Sequence, residues 1–279
     1  EQGIRMFAVD AEMEIEKIAM VAPSSNVYVR LSTNGMEEDA DWPLTRKFGT
    51  SVNHAIELVK YAKINGLNPI GVSFHVGSQN YNPENWRTAI REASIVFEEA
   101  KQFGITMTMI NTGGGMPVRY SRNIPEIKDI AKVINEAVDE YLGDNITVIV
   151  EPGRSMVGNA GVLVTRVILR SKKGDENWVY VDAGVFHGLT ETIQNIRYRV
   201  TVDGKEDEEL EKFVLAGPTC DSMDVMYYDI DLPKSTTLGD IVYFHATGAY
   251  TTEYGTNFNG IPSPKIIFEN GILSDEEFE

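Results

Sequence analysis

Three short motifs with chemically useful residues each follow a stretch that is predicted to be a strand. They are His75-Val76-Gly77-Ser78, Gly113-Gly114-Gly115 and Glu151-Pro152-Gly153-Arg154. A triple glycine can expose successive backbone N–H groups to a phosphate, because no Cβ atom stands in the way. The carboxyl ends of parallel barrel strands lie on one face, so we expect these motifs to converge there.

The polar side chains of these motifs suit an anion and an aromatic nitrogen. Arg154 can bridge phosphate oxygens with its planar guanidinium, and Ser78 can add a hydroxyl donor. Glu151 follows the apolar run 146–150, where a carboxylate can keep a ring nitrogen protonated. His75 can stack on a planar group or act as an acid. Each motif also has a purely structural explanation: a surface arginine, a helix-capping serine, an ion-pair partner, a core histidine and a flexible glycine loop.

Two further motifs occur in the second half of the chain. They are Gly217-Pro218-Thr219-Cys220-Asp221-Ser222 and Gly248-Ala249-Tyr250. The thiol of Cys220 can donate a proton from a turn, and Asp221 can pair with a substrate cation, whereas a small buried residue is the alternative explanation for the cysteine. Because Cys220 is the sole cysteine, no disulfide can form within the chain, which favours the cytoplasm.

Composition excludes several classes of function. The chain has 42 acidic and 25 basic residues, a formal charge of −17, and no run of Lys or Arg, so nucleic acid is a poor candidate partner. This acidity favours a cationic small molecule. The four histidines are scattered and make no HxH or HExxH pattern, and no GxSxG occurs, so neither a zinc site nor a serine hydrolase is indicated. No apolar stretch reaches the roughly 18 residues that a membrane span needs.

The first half of the chain alternates strand and helix patterns, which predicts parallel βα units. Strands are expected at 6–9, 26–31, 70–75, 106–110 and 146–150. Apolar residues recur at helical spacing in 52–62 and 127–141, and a third helix is predicted from Glu84 to Gln102. These helices are expected to stop near Gly66, Gly143 and Gly104. Five such units form either an open doubly wound sheet or most of an eight-stranded barrel.

The second half is predicted to be a separate β domain. Strands are expected at 162–169, 178–182, 212–215, 240–245 and 265–268, and helical periodicity largely disappears. We therefore expect one domain over 1–154 and a mostly antiparallel domain over 155–279. Residues 274–279 are expected to be a solvated acidic tail.

Taken together and in this order, HVGS, GGG, EPGR, GPTCDS and GAY resemble the motifs of the pyridoxal-phosphate (PLP) dependent decarboxylases with the alanine-racemase-like fold. The resemblance covers essentially the whole chain and is strongest to the ornithine/lysine decarboxylases, with the diaminopimelate decarboxylases as relatives. It implies an α/β fold, a (β/α)8 TIM-type barrel that binds PLP, followed by a mostly antiparallel β domain. That domain completes the active site across a homodimer. The implied activity is that of a lyase in polyamine biosynthesis.

The resemblance also implies roles for individual residues. His75 would stack on the pyridine ring, and Glu151 would pair with the pyridine nitrogen. Cys220 would return a proton to the α-carbon, and Asp221 would bind the distal ammonium of the substrate, both from the partner subunit. The residues implied in phosphate or cofactor binding are Ser78, Gly113, Gly114, Gly115, Gly153, Arg154 and Tyr250. The residues that match the family near the dimer interface are Asp224, Phe258, Asn259 and Gly260.

The substrate stays open between L-ornithine and L-lysine. Diaminopimelate decarboxylases share the Gln79 after HVGS but usually carry Glu after the cysteine, so Asp221 favours a diamine-forming enzyme giving putrescine or cadaverine. Phe186 stands where eukaryotic ornithine decarboxylases have tyrosine, and Asn195 stands where an acidic residue is expected. Glu191 can replace that acid if the loop is shifted, and Phe258 belongs to the same implied substrate pocket.

Two other classes share the resemblance. Antizyme-inhibitor-like homologues are non-catalytic regulators, but the phosphate and pyridine contacts are all retained here. Amino-acid racemases share fold and cofactor, whereas GPTCDS suits proton return by one thiol after decarboxylation.

The family attaches PLP to a lysine in a segment resembling YAVKAN, and the chain contains no such segment. Five βα units in place of eight, and a first residue Glu1, agree with an absent N-terminal barrel segment. Five strands alone would leave two raw sheet edges. We therefore expect that segment to lie on another polypeptide or to be omitted from this chain, and we expect the 279 residues alone to show no turnover.

Overall fold

The computed structural model describes residues 2–33, 36–44 and 46–268. Two compact units make up the chain, Glu1–Gly158 and Asn159–Glu279. The sequence predicted this boundary between residues 154 and 155, a position that lies inside the short helix Arg154–Val157. The expected acidic tail at 274–279 lies outside the described residues.

The first unit alternates strands and helices. Its strands are β1 Met6–Val9, β2 Asn26–Arg30, β3 Ala40–Trp42, β4 Asn68–Ser73, β5 Ser78–Asn80, β6 Met109–Asn111 and β7 Thr147–Ile149. Its helices are α1 Glu12–Val21, α2 Val52–Ile64, α3 Glu84–Gln102, α4 Ile127–Tyr141 and α5 Arg154–Val157, with a 3-10 turn at Glu37–Asp39. Another 3-10 turn, Gly158–Ala160, spans the boundary. The predicted α3 and α4 are confirmed at both ends.

Five strands of this unit form one parallel sheet in the order β1-β2-β4-β6-β7. Each strand of this sheet thus pairs with the next strand of the same sheet along the chain. A doubly wound sheet reverses its strand order at a switch point, and this sheet contains no reversal among the described residues. The order excludes the doubly wound alternative and is that of consecutive units in a barrel.

Helices and sheet bury one apolar cluster. Its fully buried members include Val27, Val72, Ile110, Leu58 and Ile90. Burial of each such side chain stabilises the fold by roughly 1.5 to 3 kcal/mol. Helix α2 begins where the Ser51 hydroxyl accepts a hydrogen bond from the His54 N–H, which satisfies one of the free donors of the first turn.

Short polar segments depart from the sequence prediction. Strands β3 and β5 pair antiparallel in a separate two-stranded sheet that was not predicted, with Ala40 opposite Asn80 and Trp42 opposite Ser78. Three-residue strands with polar residues carry no clear alternation of apolar side chains, which explains the omission. Ser78 therefore lies in a strand and does not cap a helix.

The second unit is a six-stranded sheet. Its strands are β8 Val162–Lys173, β9 Glu176–Val181, β10 Val200–Val202, β11 Leu210–Ala216, β12 Val225–Pro233 and β13 Ile241–His245. They lie in the order β10-β13-β8-β9-β11-β12, and only β9 and β11 pair in parallel. Its 3-10 helices are Val185–His187, Thr190–Gln194, Thr252–Tyr254 and Phe258–Gly260. The mostly antiparallel pairing agrees with the prediction.

Two strands of this sheet were missed and one predicted strand is wrong. Strand β10 is short, and β12 carries exposed Asp229 and Asp231, which interrupt the strand pattern. Residues 265–268 are apolar enough to suggest a strand, but they have no ladder partner in the described part of the chain. Among the residues described, no helix is long and apolar enough to cross a bilayer.

Candidate functional site

The three motifs of the first half meet at the carboxyl ends of β4, β6 and β7. The Glu151 N–H donates to the Gly113 carbonyl at 2.7 Å, and the Asn80 N–H donates to the Gly115 carbonyl at 2.9 Å. The glycine loop is therefore bonded to both neighbouring loops. The convergence predicted from three separate motifs is present within the first unit.

The triple glycine is required by close backbone approach. A Cβ atom at Gly113 would lie 2.3 Å from the Phe74 carbonyl oxygen, one at Gly114 would lie 2.5 Å from the Glu151 oxygen, and one at Gly115 would lie 2.5 Å from the Gly77 oxygen. Such contacts are too short for any side chain. The loop is thus packed between its neighbours, which argues against the flexible-loop explanation.

The glycine loop offers backbone donors to a ligand. The Gly113 N–H donates to Asn111 Oδ1 at 2.9 Å. No acceptor among the described residues takes the N–H groups of Gly114 and Gly115. Two successive N–H groups without a Cβ barrier make a concavity that suits a phosphate.

Arg154 is an interior residue with an exposed fraction of only 3%. Its Nε and Nη2 atoms each donate to Ser78 Oγ at 3.2 Å, and Nη1 donates to the Tyr120 hydroxyl at 2.7 Å. The surface-arginine explanation is therefore wrong. Gly153, the cofactor-binding candidate before it, precedes the first residue of α5.

Glu151 lies beside the glycine loop and is bonded to a residue that the sequence did not single out. Its Oε1 accepts a hydrogen bond from Asn111 Nδ2 at 2.7 Å, so the buried Asn111 amide links Glu151 to Gly113. Glu151 is exposed and makes no ion pair with the described residues, so it is not a structural ion-pair partner. Burial raises the pKa of Tyr28, and the negative charge of Glu151 raises it further.

His75 is held as a neutral ring. Its Nδ1 accepts a hydrogen bond from the Gly77 N–H at 3.1 Å, so the proton of the neutral form resides on Nε2. Burial lowers the pKa of His75 to about 4, the charge of Arg30 lowers it too, and Glu151 partly opposes both. An imidazole that is neutral at pH 7 suits stacking, whereas the expected role as an acid is not favoured.

The group on the first unit fits a planar ring that carries a phosphate. Arginine, serine and glycine N–H donors suit the phosphate, the exposed carboxylate of Glu151 suits a ring nitrogen, and a neutral imidazole suits a ring face. No cluster of three or more His, Cys, Asp or Glu side chains in the described chain resembles a metal site. The chemistry is that of an organic cofactor.

In the second unit, a buried carboxylate organises the Gly217 to Ser222 turn. Asp224, with 2% of its surface exposed, accepts hydrogen bonds from the Val185 N–H at 2.8 Å, from the Thr219 N–H at 2.9 Å and from the Thr219 hydroxyl at 2.7 Å. Cβ atoms at Gly184 and Gly217 would come within 2.1 and 2.2 Å of Asp224 Oδ1. Asp224 therefore fixes the backbone next to the sole cysteine.

Cys220 is exposed, so the explanation as a small buried residue is wrong. Its Sγ accepts a hydrogen bond from Asn259 Nδ2 at 3.1 Å. Asp221 is half-buried and uses Oδ1 to accept from the Met223 N–H at 2.8 Å, which fixes the turn. The thiol and the carboxylate are presented on one ordered turn.

The candidate substrate residues of the second unit divide into accessible and buried ones. The rings of Phe186 and Phe258 pack with their centroids 4.5 Å apart. Asn195 is exposed at the end of a 3-10 helix, where its φ is +70°. Glu191 is only 2% exposed, and the Tyr198 hydroxyl donates to its Oε2 at 3.4 Å. Because its carboxylate is buried, Glu191 is not placed to replace the acid expected at position 195.

Tyr250, the remaining phosphate-binding candidate, lies in the second unit. It is partly exposed, has a φ of +57°, and stacks on Tyr254 with a centroid distance of 6.4 Å. A positive φ is uncommon for a bulky residue and often marks a functional position.

The chain is similar to proteins of a known family. Residues 1–158 match the family described as pyridoxal-dependent decarboxylase, pyridoxal binding domain. A lysine/ornithine decarboxylase of Selenomonas ruminantium is 33% identical over 273 residues, which cover 97% of this chain and 68% of that protein. Antizyme inhibitor 2 of Xenopus laevis is 32% identical over 285 residues, which cover 96% of this chain and 62% of that protein.

A solved structure gives the same result. The lysine/ornithine decarboxylase of Vibrio vulnificus complexed with cadaverine superimposes with a TM-score of 0.83 at 33% identity, covering 96% of this chain and 70% of that one. The fold and the family match define a class of protein in which an α/β pyridoxal-binding unit is joined to a β-sheet unit. The chain belongs to the pyridoxal-dependent decarboxylases, and it spans roughly two thirds of the length of the relatives it matches.

Proposed function

We propose that the protein decarboxylates a basic amino acid, L-ornithine or L-lysine, to the corresponding diamine in polyamine biosynthesis. The observation that carries the proposal is the meeting of His75, the triple glycine, Glu151 and Arg154 at one end of the parallel sheet. The named activity of the Selenomonas relative and the cadaverine in the Vibrio structure support this substrate class.

The first unit binds and orients the cofactor. Arg154, Ser78 and the N–H groups of the glycine loop would hold the phosphate. Glu151, which Asn111 fixes by a hydrogen bond, would keep the ring nitrogen protonated, and the neutral ring of His75 would stack on the pyridine ring. Bound PLP supplies an electron sink for the electrons released when the α-carboxylate departs. The protein's part is binding, orientation and proton return.

The second unit supplies proton return and substrate recognition. The Asn259 amide donates to the sulfur of Cys220 and so positions the thiol, whose S–H group would donate the proton to the α-carbon. Asp221 pairs with the distal ammonium, and the Phe186–Phe258 pair packs against the methylene chain of the substrate. Because Asn195 stands where an acidic residue is expected, the size of the pocket would decide which length of substrate side chain is bound. Tyr250 adds a hydroxyl donor to the phosphate, as in the family pattern.

In the proposal the protein is a cytoplasmic homodimer, and the Cys220 and Asp221 turn of one protomer serves the cofactor of its partner. The acidic surface, with a formal charge of −17, favours the approach of a cationic amino acid.

The test is release of CO₂ from carboxyl-labelled L-ornithine and L-lysine by the natural protein saturated with PLP, with the diamine identified by mass spectrometry. We expect turnover of at least one of the two, and a Cys220→Ala variant that binds PLP normally but yields less diamine. Diaminopimelate and L-arginine serve as comparison substrates. Absence of CO₂ from ornithine and lysine, with PLP bound, would reject the assignment.

A non-catalytic regulator is the second candidate, because antizyme inhibitor 2 is 32% identical to the chain. The Cys220 thiol and the phosphate cradle favour the enzyme. The two candidates differ in cofactor binding, since a regulator has no need to retain PLP through gel filtration, whereas the enzyme retains it.

A further inference from the structure

The orientation of Arg154 depends on two hydroxyl groups from different loops. A buried guanidinium has lost its hydration, so its geometry follows its hydrogen-bond partners closely. Ser78 accepts from Nε and Nη2, and Tyr120 accepts from Nη1, so the planar group is bonded at both ends. Tyr120 belongs to no motif discussed above, yet it makes the shortest of these contacts.

Tyr120 contacts Arg154 most closely through its hydroxyl, and its ring lies only at the outer limit of a cation–π contact. The Nη1 to hydroxyl distance is 2.7 Å, whereas the guanidinium carbon lies 5.9 Å from the ring centroid. Loss of the oxygen alone would therefore remove the main contact and leave the buried ring in place. The residue offers a conservative substitution that tests one hydrogen bond.

The segment that carries Tyr120 is fixed by Gln79. The Gln79 side chain is fully buried, its Nε2 donates to the Val118 carbonyl at 2.6 Å, and its Oε1 accepts from the Val118 N–H at 2.9 Å. Gln79 itself has a φ of +60°, a conformation that is uncommon for a residue with a Cβ atom. A Cβ atom at Gly158 would lie 2.8 Å from Val118 Cγ2, so the segment is packed on its other side as well.

These contacts close a ring. Ser78 contacts Arg154, Arg154 contacts Tyr120, and Tyr120 lies two residues after Val118. Val118 in turn is bonded to Gln79, the chain neighbour of Ser78. Strand β5 thus supplies one hydroxyl partner of the guanidinium, Ser78, and through Gln79 it fixes the segment that carries the other, Tyr120. Such mutual bracing holds a binding group in one geometry before the ligand arrives.

We propose that Tyr120 and Gln79 are positioning residues that orient Arg154 toward the cofactor phosphate. The inference rests on the proposed function, because it takes the PLP phosphate as the ligand of Arg154. Neither residue needs to touch the cofactor for this role. Loss of either residue should therefore weaken binding of the phosphate group and leave binding of the rest of the cofactor unchanged.

The experiment compares the affinities for PLP and for pyridoxal, which lacks the phosphate, in the natural protein and in Tyr120→Phe. We expect the Kd for PLP to rise about 10-fold, because a charge-assisted hydrogen bond that orients the guanidinium is lost. The Kd for pyridoxal should stay within about 2-fold, since pyridoxal makes no phosphate contact. The control is Tyr61→Phe, whose hydroxyl donates to Glu16 on the surface and which should change neither value.

A second variant keeps the proposal testable if Tyr120→Phe does not fold. Gln79→Met keeps most of the side-chain volume and removes both bonds to Val118, and it should show the same selectivity for PLP over pyridoxal. Equal weakening of both ligands in the folded variants, or an unchanged PLP affinity in Tyr120→Phe, would overturn the positioning role and leave the proposed function standing. If the natural protein binds no PLP, both the proposed function and this inference are rejected.

Discussion

His75 responds to burial and to two opposite charges at the end of the parallel strands. Burial lowers its pKa most, Arg30 lowers it further, and Glu151 opposes them. The ring is therefore neutral at pH 7. In the proposed site, a neutral imidazole is consistent with a protonated pyridine nitrogen, because it would bring no second positive charge to the same place.

This neutrality predicts a pH-dependent stability. The folded pKa of His75, about 4, lies below its ordinary value of 6.5, so the unfolded chain takes up this proton at a higher pH than the folded chain does. The free energy of unfolding of the cofactor-free protein should therefore fall as the pH falls from about 6.5 to 4, by up to roughly 3 kcal/mol from this group. Urea unfolding at about pH 7 and pH 4.5 measures the difference.

The informative variant is His75→Asn, whose side-chain oxygen can accept from the Gly77 N–H but does not titrate. It should lose less stability than the natural protein between the two pH values. If His75→Asn loses as much stability as the natural protein, His75 does not titrate as described.

The sequence pointed to residues that stand in motifs typical of a chemical function. It missed the residues that hold those motif residues in position. Glu151, Arg154 and the triple glycine stand in recognisable motifs. Asn111 and Tyr120 do not, because an asparagine after a strand and a tyrosine in a loop are ordinary. Their importance depends on contacts with residues 40 and 34 positions away, which no local pattern reveals.

At the scale of the elements, the turn that carries Cys220 depends on one buried carboxylate. The Asp224 carboxylate accepts hydrogen bonds from the backbone N–H groups of Val185 and Thr219, which belong to two different loops. The glycines at 184 and 217 leave the space that the carboxylate occupies. The turn is therefore ordered by tertiary contacts and not by its own sequence.

Asp224→Asn tests this dependence. An amide presents one acceptor atom in place of two, so a buried donor at Val185 or Thr219 loses its partner. We expect a fall in the free energy of unfolding of about 2 to 4 kcal/mol, measured by urea denaturation. The control Asp231→Asn removes an exposed pair with Lys212 and should cost less than about 1 kcal/mol. Equal effects of the two changes would contradict the role given to Asp224.

Helices were easier to predict than strands in this chain, for a physical reason. Helices α3 and α4 each bury one face in the apolar cluster and show regular spacing of apolar residues over 19 and 15 residues. Strands β3, β5 and β10 have three residues each and rely on partners elsewhere in the chain. Residues 265–268 show the opposite error, since their apolar composition suggested a strand, whereas this segment is not a strand in the part of the chain that the structure describes.

At the scale of the whole molecule, the proposed mechanism divides the chemistry between the two units. The residues proposed to bind the cofactor, Arg154 and Glu151 among them, lie in the first unit, and Cys220 and Asp221 lie in the second. The alternating βα pattern left two topologies open, a doubly wound sheet and a barrel. It could not decide between them because strand order depends on long-range pairing, which the structure shows to be sequential.

This division makes the proposed homodimer testable by mixing two inactive variants. Arg154→Ala should impair phosphate binding, and Cys220→Ala should impair proton return. If the turn of one protomer serves the cofactor of its partner, a mixed dimer contains one site with both defects and one site with neither. Random reassembly of equal amounts makes half of the dimers mixed, so the mixture should recover about a quarter of the natural activity.

The recovered activity distinguishes the two possible arrangements. If each protomer supplied both Arg154 and Cys220 to its own site, every site in a mixed dimer would carry one defect, and mixing would restore nothing. Sedimentation of the mixture checks that dimers have re-formed, and self-mixing of each variant gives the baseline. Activity at that baseline in re-formed dimers would refute the shared site, because the thiol would then act within its own protomer.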